Sequence, residues 1–156
     1  MIDVKKSSRA SLANLVKQLS AYTSVFDRSV NPHAVQIVIS GDRPPRKKTE
    51  EDPDGELSWT RYPRFIFFDG RPNDTYDNAT LQRVAFISDS YFKYVVPSDS
   101  IDHNIRKVAQ KVHGLGKLLR LYTAPDIPSS WERLQKLGVD IINTDKVKEC
   151  REFFSK

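Results

Sequence analysis

Six short, mostly apolar segments alternate with segments of helical periodicity, and this alternation is the strongest constraint on the fold. The apolar segments are predicted strands, at residues 1–5, 34–40, 64–68, 84–87, 117–122 and 139–142. Strands that are apolar along most of their length are expected where both faces of a sheet are covered. Strands that alternate with helices favour a parallel sheet flanked by helices. The sequence therefore predicts an α/β fold with parallel strands.

The length and the segments between strands define the predicted organisation. Because 156 residues suit one domain, we expect a single domain over residues 1–156. Residues 44–60 are charged and contain prolines, so they are predicted to form an insertion loop. A final helix is predicted over residues 146–154, after helices with apolar residues at helical spacing.

The composition argues against several classes of protein. The net charge of +5 is scattered, and the basic run Arg43–Lys48 is followed at once by the acidic run Glu50–Asp54, so no nucleic-acid partner is expected. The single Cys150 excludes an intramolecular disulfide. The apolar runs are too short to span a bilayer, and the chain as given opens with no signal peptide.

Polar and charged residues follow five of the six predicted strands. They are Lys5, Asp42, Arg43, Asp69, Arg71, Asp89, Asn143 and Asp145. In parallel α/β sheets, ligands bind beyond the carboxyl ends of the strands. An alternative is that polar residues at the strand ends only cap helices, which suits Ser88, Ser90 and Asp145.

Helix capping does not suit the cations of this set. A cation at a helix N-terminus opposes the helix dipole, so Lys5, Arg43 and Arg71 are better explained by an anion that binds among them. We therefore predict that these three residues bind an anion. The alternative for the two arginines is pairing with Asp42, Asp69 or acidic loop residues.

Several short motifs, in their order, resemble the phospholipase C-like phosphodiesterase superfamily. The motifs are IDVK, IVISGDRP, FIFFDGRP, LYTAPD and GVDIINTDK, and they lie between residues 2 and 146. The resemblance as a whole runs from residue 2 to about residue 154. The superfamily includes glycerophosphodiester phosphodiesterases, phosphatidylinositol-specific phospholipases C and sphingomyelinases D. All are TIM barrels that hydrolyse phosphodiesters, usually with one divalent cation and two histidines as general acid and base.

The resemblance covers only the C-terminal part of such a barrel. A complete (β/α)8 barrel takes roughly 250 residues, and the family's histidine-bearing strands precede the IDVK position. The resemblance therefore implies an incomplete (β/α)8 TIM-type barrel with about the last five to six βα units. The parent protein is then expected to be a phosphoric diester hydrolase, whereas this chain alone is expected to be inactive.

The resemblance also assigns roles to residues. It implies that Asp3 is a metal ligand for Mg²⁺ or Ca²⁺ and that Tyr122 and Asn143 belong to the substrate pocket. It also implies that the anion is a phosphate, bound by Lys5 with Arg43 and Arg71 as the candidate arginines beside it. Asp126 lies one residue later than the family's acidic or amide position. No catalytic residue is predicted within this chain, because its histidines do not follow predicted strands.

The expected ligand is a phosphodiester or phospholipid-derived small molecule. The open edges of a partial barrel favour self-association or pairing with an N-terminal partner segment. The branch that the motifs resemble most is secreted or periplasmic, but the chain itself leaves its location unknown. Two alternatives stay open: a non-catalytic anion-binding module or pseudoenzyme fragment, and a doubly wound α/β domain. The second would usually carry a Gly-rich phosphate loop after its first strand, and IDVKKSSRAS has no glycine.

Overall fold

A computed structural model describes residues 1–46, 49–50, 52–56, 58–96 and 100–155. The six predicted strands are confirmed in this part of the chain, with shifted ends: β1 (Ile2–Val4), β2 (Ile37–Gly41), β3 (Ile66–Gly70), β4 (Val84–Ser90), β5 (Leu119–Tyr122) and β6 (Ile141–Ile142). The α-helices are α1 (Ser8–Leu19), α2 (Thr23–Phe26), α3 (Asn78–Gln82), α4 (Ile101–Gly114), α5 (Pro128–Lys136) and α6 (Val147–Phe154).

The chain divides into two compact units. The first consists of Met1–Asp69 and Thr75–Ala85, and the second consists of Gly70–Asp74 and Phe86–Lys156. The first unit holds β1, β2 and nearly all of β3, and the second holds β5, β6 and most of β4. The division is a feature of the fold that the sequence patterns do not show.

Strands pair in parallel within each unit. In the first unit β1 pairs with β2, with Asp3 opposite Ser40, and β2 pairs with β3, with Ile39 opposite Phe68. In the second unit β4 pairs with β5, with Ser88 opposite Arg120, and β5 pairs with β6. The predicted α/β architecture with parallel strands is therefore confirmed, whereas the barrel stays a prediction.

The core of the first unit explains why its strands are continuously apolar. Ile39, Ile66 and Phe68 are fully buried, and so is Leu12 of α1. Complete burial of such side chains stabilises a fold by about 1.5–3 kcal/mol each. Because these strand residues are buried, polar side chains are found mainly where the strands end.

The segment predicted as an insertion loop is anchored by Trp59. The Trp59 ring is 1% exposed, stacks on Phe68 with centroids 4.5 Å apart, and donates its indole N–H to the Pro44 carbonyl at 2.8 Å. A 3₁₀ turn forms at Trp59–Arg61. Lys47, Lys48, Glu51 and Leu57 of this loop lie outside the described residues.

The second unit packs its helices on the strands through one apolar face each. Ile105, Val108 and Val112 are buried along α4, which contacts β5. Trp131 and Leu134 are buried along α5, which contacts β6 and α6. These buried residues are three or four positions apart along each helix, which is the helical spacing of apolar residues seen in the sequence.

Of the strand-end residues that the sequence offers as helix caps, only Ser90 stands at an N-cap. Ser88 lies within β4, which continues past the predicted end at residue 87, whereas Ser90 ends β4 and precedes a 3₁₀ turn at Tyr91–Tyr94 without a capping hydrogen bond from its side chain. The residue at the N-cap of α6 is Lys146, not Asp145. At the N-cap of α1 stands Ser7, whose φ is 56° and whose side chain makes no capping hydrogen bond.

The close approach of β1 to the end of β2 gives a testable prediction. Gly41 has a φ of +75°, and a Cβ there would lie 2.2 Å from Asp3 Oδ1 and 2.3 Å from the Val4 carbonyl oxygen. Because the left-handed backbone and the clash both oppose a side chain, Gly41→Ala is expected to lower the free energy of unfolding by about 1–3 kcal/mol. Urea unfolding followed by circular dichroism measures the change.

The matched control is Gly114→Ala, at the end of α4. Nothing lies within 4 Å of a Cβ built there, so the free energy of unfolding should change by no more than about 1 kcal/mol, in the stabilising direction. Equal losses of stability in the two variants would contradict the predicted clash.

Candidate functional site

In the first unit, one row of polar side chains crosses the carboxyl ends of three strands. Asp3 lies opposite Ser40, and Ser40 follows the Ile39–Phe68 pair, which places it beside Asp69. Laterally paired residues of parallel strands point to the same face of the sheet. The Ser40 hydroxyl donates to Asp69 Oδ2 at 2.7 Å, and the Asp69 carboxyl is fully buried.

The predicted phosphate-binding cations each have protein partners. The Lys5 ammonium pairs with the Asp3 carboxylate, and both side chains are exposed. The Arg43 guanidinium donates to the main-chain oxygen of Asp69 and lies 5.6 Å from the centre of the Trp59 ring. In the second unit, Arg71 donates to the Gly70 carbonyl at 2.7 Å. Phosphate binding by these three residues stays a prediction.

The residues around Asp3 do not by themselves fit a divalent cation. Mg²⁺ and Ca²⁺ take six or more oxygen ligands, whereas the Asp3 carboxylate is engaged by Lys5. Among the described residues, no group of three or more His, Cys, Asp or Glu side chains could hold a metal ion. We therefore derive no chemical step through a metal, and the divalent cation stays a prediction.

The histidines lie away from the carboxyl ends of the strands. His33 precedes β2 and is exposed, and His103 is exposed in the first turn of α4. His113, in the last turn of α4, contacts Asp140 Oδ2 at 2.8 Å through Nε2. Of the three side chains, that of His113 therefore links the end of α4 to the segment before β6.

In the second unit, Arg120 joins the side chains of three strands. Ser88 of β4 lies opposite Arg120 of β5, and their side chains are 3.4 Å apart between Oγ and a guanidinium nitrogen. The same guanidinium donates to the Asn143 side-chain oxygen just after β6, and it lies 5.7 Å from the centre of the Tyr122 ring. Ser88, Arg120, Tyr122 and Asn143 are called the Arg120 cluster below.

The electrostatics of the Arg120 cluster favour an anion. Ser88 is fully buried and Arg120 is half-buried. The contacts of Arg120 are with a hydroxyl, an amide and an aromatic ring, all of them neutral. A partly buried charge is costly unless it is paired, and a guanidinium stays protonated at any physiological pH. The cluster can therefore recover part of this cost by binding a negatively charged group.

The structure brings together two residues that the resemblance assigns to the substrate pocket, Tyr122 and Asn143. Arg120, which contacts both, was missed at the sequence level. Its signal was a cation within an otherwise apolar strand segment, at the register position of a serine on the neighbouring strand. Without knowledge of the pairing of β4 with β5, nothing in the sequence distinguishes Arg120 from the other charged residues.

Asp126 holds the loop that carries Asn143. Its carboxylate accepts hydrogen bonds from the Trp131 indole at 2.8 Å and from the Asp145 main-chain N–H at 3.0 Å. These bonds, with one from the Thr144 hydroxyl as the largest cause, lower the pKa of Asp126 from its ordinary value of 3.8. Asp126 thus ties the loop after β5 to the loop after β6 and is a positioning residue.

Comparison of the chain with family models, curated proteins and solved structures gives no match. No helix in the described part of the chain is long and apolar enough to cross a membrane. The resemblance to the phosphodiesterase superfamily therefore rests on the motifs alone.

The lowered pKa of Asp126 predicts a pH-dependent contribution to stability. Since the folded-state pKa lies below the ordinary value of 3.8, the stabilisation is complete above that value and is lost as the pH falls through the folded-state pKa. Asp126→Asn is expected to unfold at lower urea than the wild type at pH 7. The gap should narrow towards pH 3, as measured by urea titrations at both values.

Asp145→Asn is the control for this experiment, because only the main chain of Asp145 takes part in the link. This variant keeps the main-chain link and should unfold at about the same urea concentration as the wild type at pH 7. A gap for Asp126→Asn that widens as the pH falls would contradict the assignment.

Proposed function

We propose that this chain binds the phosphate of a phosphodiester at the Arg120 cluster and serves as the C-terminal part of a phosphodiesterase-type barrel. The observation that supports the proposal is the placement of Arg120 of β5 among neutral hydrogen-bonding side chains, one of which, Asn143, lies just past the carboxyl end of β6. Parallel α/β folds bind their ligands beyond the carboxyl ends of their strands.

The chemistry of the cluster suits a phosphodiester anion. A guanidinium can donate two parallel hydrogen bonds to the two non-ester oxygens. Asn143 and Ser88 add neutral groups that can exchange their bonds with Arg120 for bonds to the ligand. During cleavage, negative charge builds up on the phosphoryl oxygens, and a fixed cation at this position stabilises it.

The proposal assigns the general acid and base to histidines on strands of the barrel that lie outside this chain. His33, His103 and His113 lie at other parts of their units. The same applies to Mg²⁺ or Ca²⁺, for which Asp3 would provide one ligand. The fold proposed is the last five to six βα units of a (β/α)8 barrel. Binding without turnover is the expected behaviour of this chain alone, with self-association through its exposed strand edges.

The positions of the histidines also favour a second candidate function, a non-catalytic anion-binding module. The Arg120 cluster supports both functions equally, because binding of the anion precedes any chemistry. A doubly wound α/β domain would also bind ligands at the carboxyl ends of its strands. Turnover separates the enzyme from the binding module.

Arg120→Gln tests the proposal. The wild-type chain is expected to bind bis(p-nitrophenyl) phosphate, measured by calorimetry. Because a charge-assisted hydrogen bond contributes about 1.5–3 kcal/mol, the variant should bind about 10- to 100-fold more weakly. Release of p-nitrophenolate is followed in parallel with Mg²⁺ or Ca²⁺ added.

Arg133→Gln is the matched control, since Arg133 is an exposed arginine of α5 that pairs with Asp102. It should leave binding of the diester within about twofold of the wild type. Absence of binding by the wild type, or equal weakening in the two variants, would contradict the proposal. Arg120-dependent release of p-nitrophenolate would favour the enzyme, and binding without release would favour the module or the incomplete barrel.

A further inference from the structure

A second polar site lies in the second unit, between the end of β4 and α4. It is a cavity of about 570 Å³ whose polar lining includes Asp89, Lys93, Tyr94, Asn104, Lys107 and Lys111. Pockets for small molecules have volumes of about 300–1,000 Å³. The cavity is therefore large enough for a small organic ligand.

This cavity is distinct from the Arg120 cluster. Successive side chains of a strand point to opposite faces of the sheet, and Ser88 and Asp89 are neighbours on β4. Ser88 contacts Arg120 on one face. The Asp89 carboxylate contacts the Tyr94 hydroxyl at 2.8 Å on the other face, where Asp89 lines the cavity together with residues of α4. The two sites thus share a strand but lie on its two faces.

The buried carboxylate of the cavity is already balanced. Asp89 is 1% exposed, pairs with the Lys93 ammonium at 2.5 Å, and accepts the Ser90 main-chain N–H at 2.9 Å. Burial, together with the hydrogen bond to Asp89, raises the pKa of Tyr94, so that its hydroxyl stays a donor. The positive charge of Lys93 is therefore neutralised by Asp89.

Two further cations line the cavity, and their charges are not neutralised by an acidic side chain within the described residues. Lys107 and Lys111 lie four residues apart on α4, so their side chains project on the same side of the helix. Within the described residues, neither ammonium has an ion pair or a hydrogen bond to the protein. Like charges at this spacing destabilise a helix by about 0.2–0.5 kcal/mol, and a dianion between them would remove that cost.

We propose that the cavity binds a phosphorylated small molecule through a terminal phosphate monoester held by Lys107 and Lys111. A monoester carries a charge of about −1.5 to −2 at pH 7, which matches two ammonium groups. A phosphodiester carries only one charge and suits the single guanidinium of the Arg120 cluster. Asn104 adds an amide beside the lysines, and Pro72 and Val108 provide apolar surface for the organic part of the ligand.

The probe is phenyl phosphate, which combines a phosphate monoester with an apolar ring. Titration of the ¹⁵N-labelled full chain should shift the amide signals around Lys107, Lys111 and Tyr94 in a saturable way. The double variant Lys107→Gln, Lys111→Gln should weaken binding by about tenfold or more, since two charged donors are lost. Both lysines are exposed, and the urea midpoint of the variant checks that the fold is kept.

Two controls separate this site from general charge effects and from the Arg120 cluster. The double variant Lys136→Gln, Lys148→Gln removes the same charge from exposed positions that do not line the cavity, and it should keep binding within about twofold of the wild type. Arg120→Gln should also keep it. No saturable binding by the wild type, equal loss in the two lysine variants, or loss confined to Arg120→Gln would each overturn the proposal.

Discussion

The parallel register of the strands is the constraint on which the polar sites depend. Pairing of Ser88 with Arg120 brings a hydroxyl and a guanidinium together that are 32 positions apart in the sequence. In the first unit, pairing of Asp3 with Ser40 extends to Asp69 by the same rule. A shift of one residue would turn each of these polar side chains to the other face of its sheet. The apolar residues on either side of them, such as Ile39 and Leu121, prevent that shift because they must stay buried.

Much of the architecture could be predicted from local patterns, because burial on both faces imposes an apolar run on each strand. The strand ends could not be predicted as well. β4 continues through Ser88 and Asp89, two polar residues that look like a turn or a cap. Both are buried, and their bonds to Arg120 and Tyr94 satisfy them. Such partners come from distant parts of the chain, so the local sequence does not indicate them.

The residues of the candidate site could not be predicted from the sequence either. Lys5 and Arg43 are well placed at strand ends, but each has a near neighbour in the fold that takes up its hydrogen bonds. Arg120 lies inside a strand, where a charge is unexpected, and its neighbours are neutral. What distinguishes a binding cation from a structural one is the set of groups around it. That set follows from the register and the helix packing and not from the residue type.

The dipeptide Ser88-Asp89 explains how one strand can serve two sites of different charge. On the Ser88 face the only charge of the cluster is one guanidinium, and its neutral partners leave it suited to a monoanion. On the Asp89 face the carboxylate pairs with Lys93. Lys107 and Lys111 of α4, which also line the cavity, are then available to bind a dianion. Because these two faces are separated by the strand itself, a ligand on one side does not compete for the cations of the other. The two proposed ligands, a phosphodiester and a phosphate monoester, could therefore be bound at the same time.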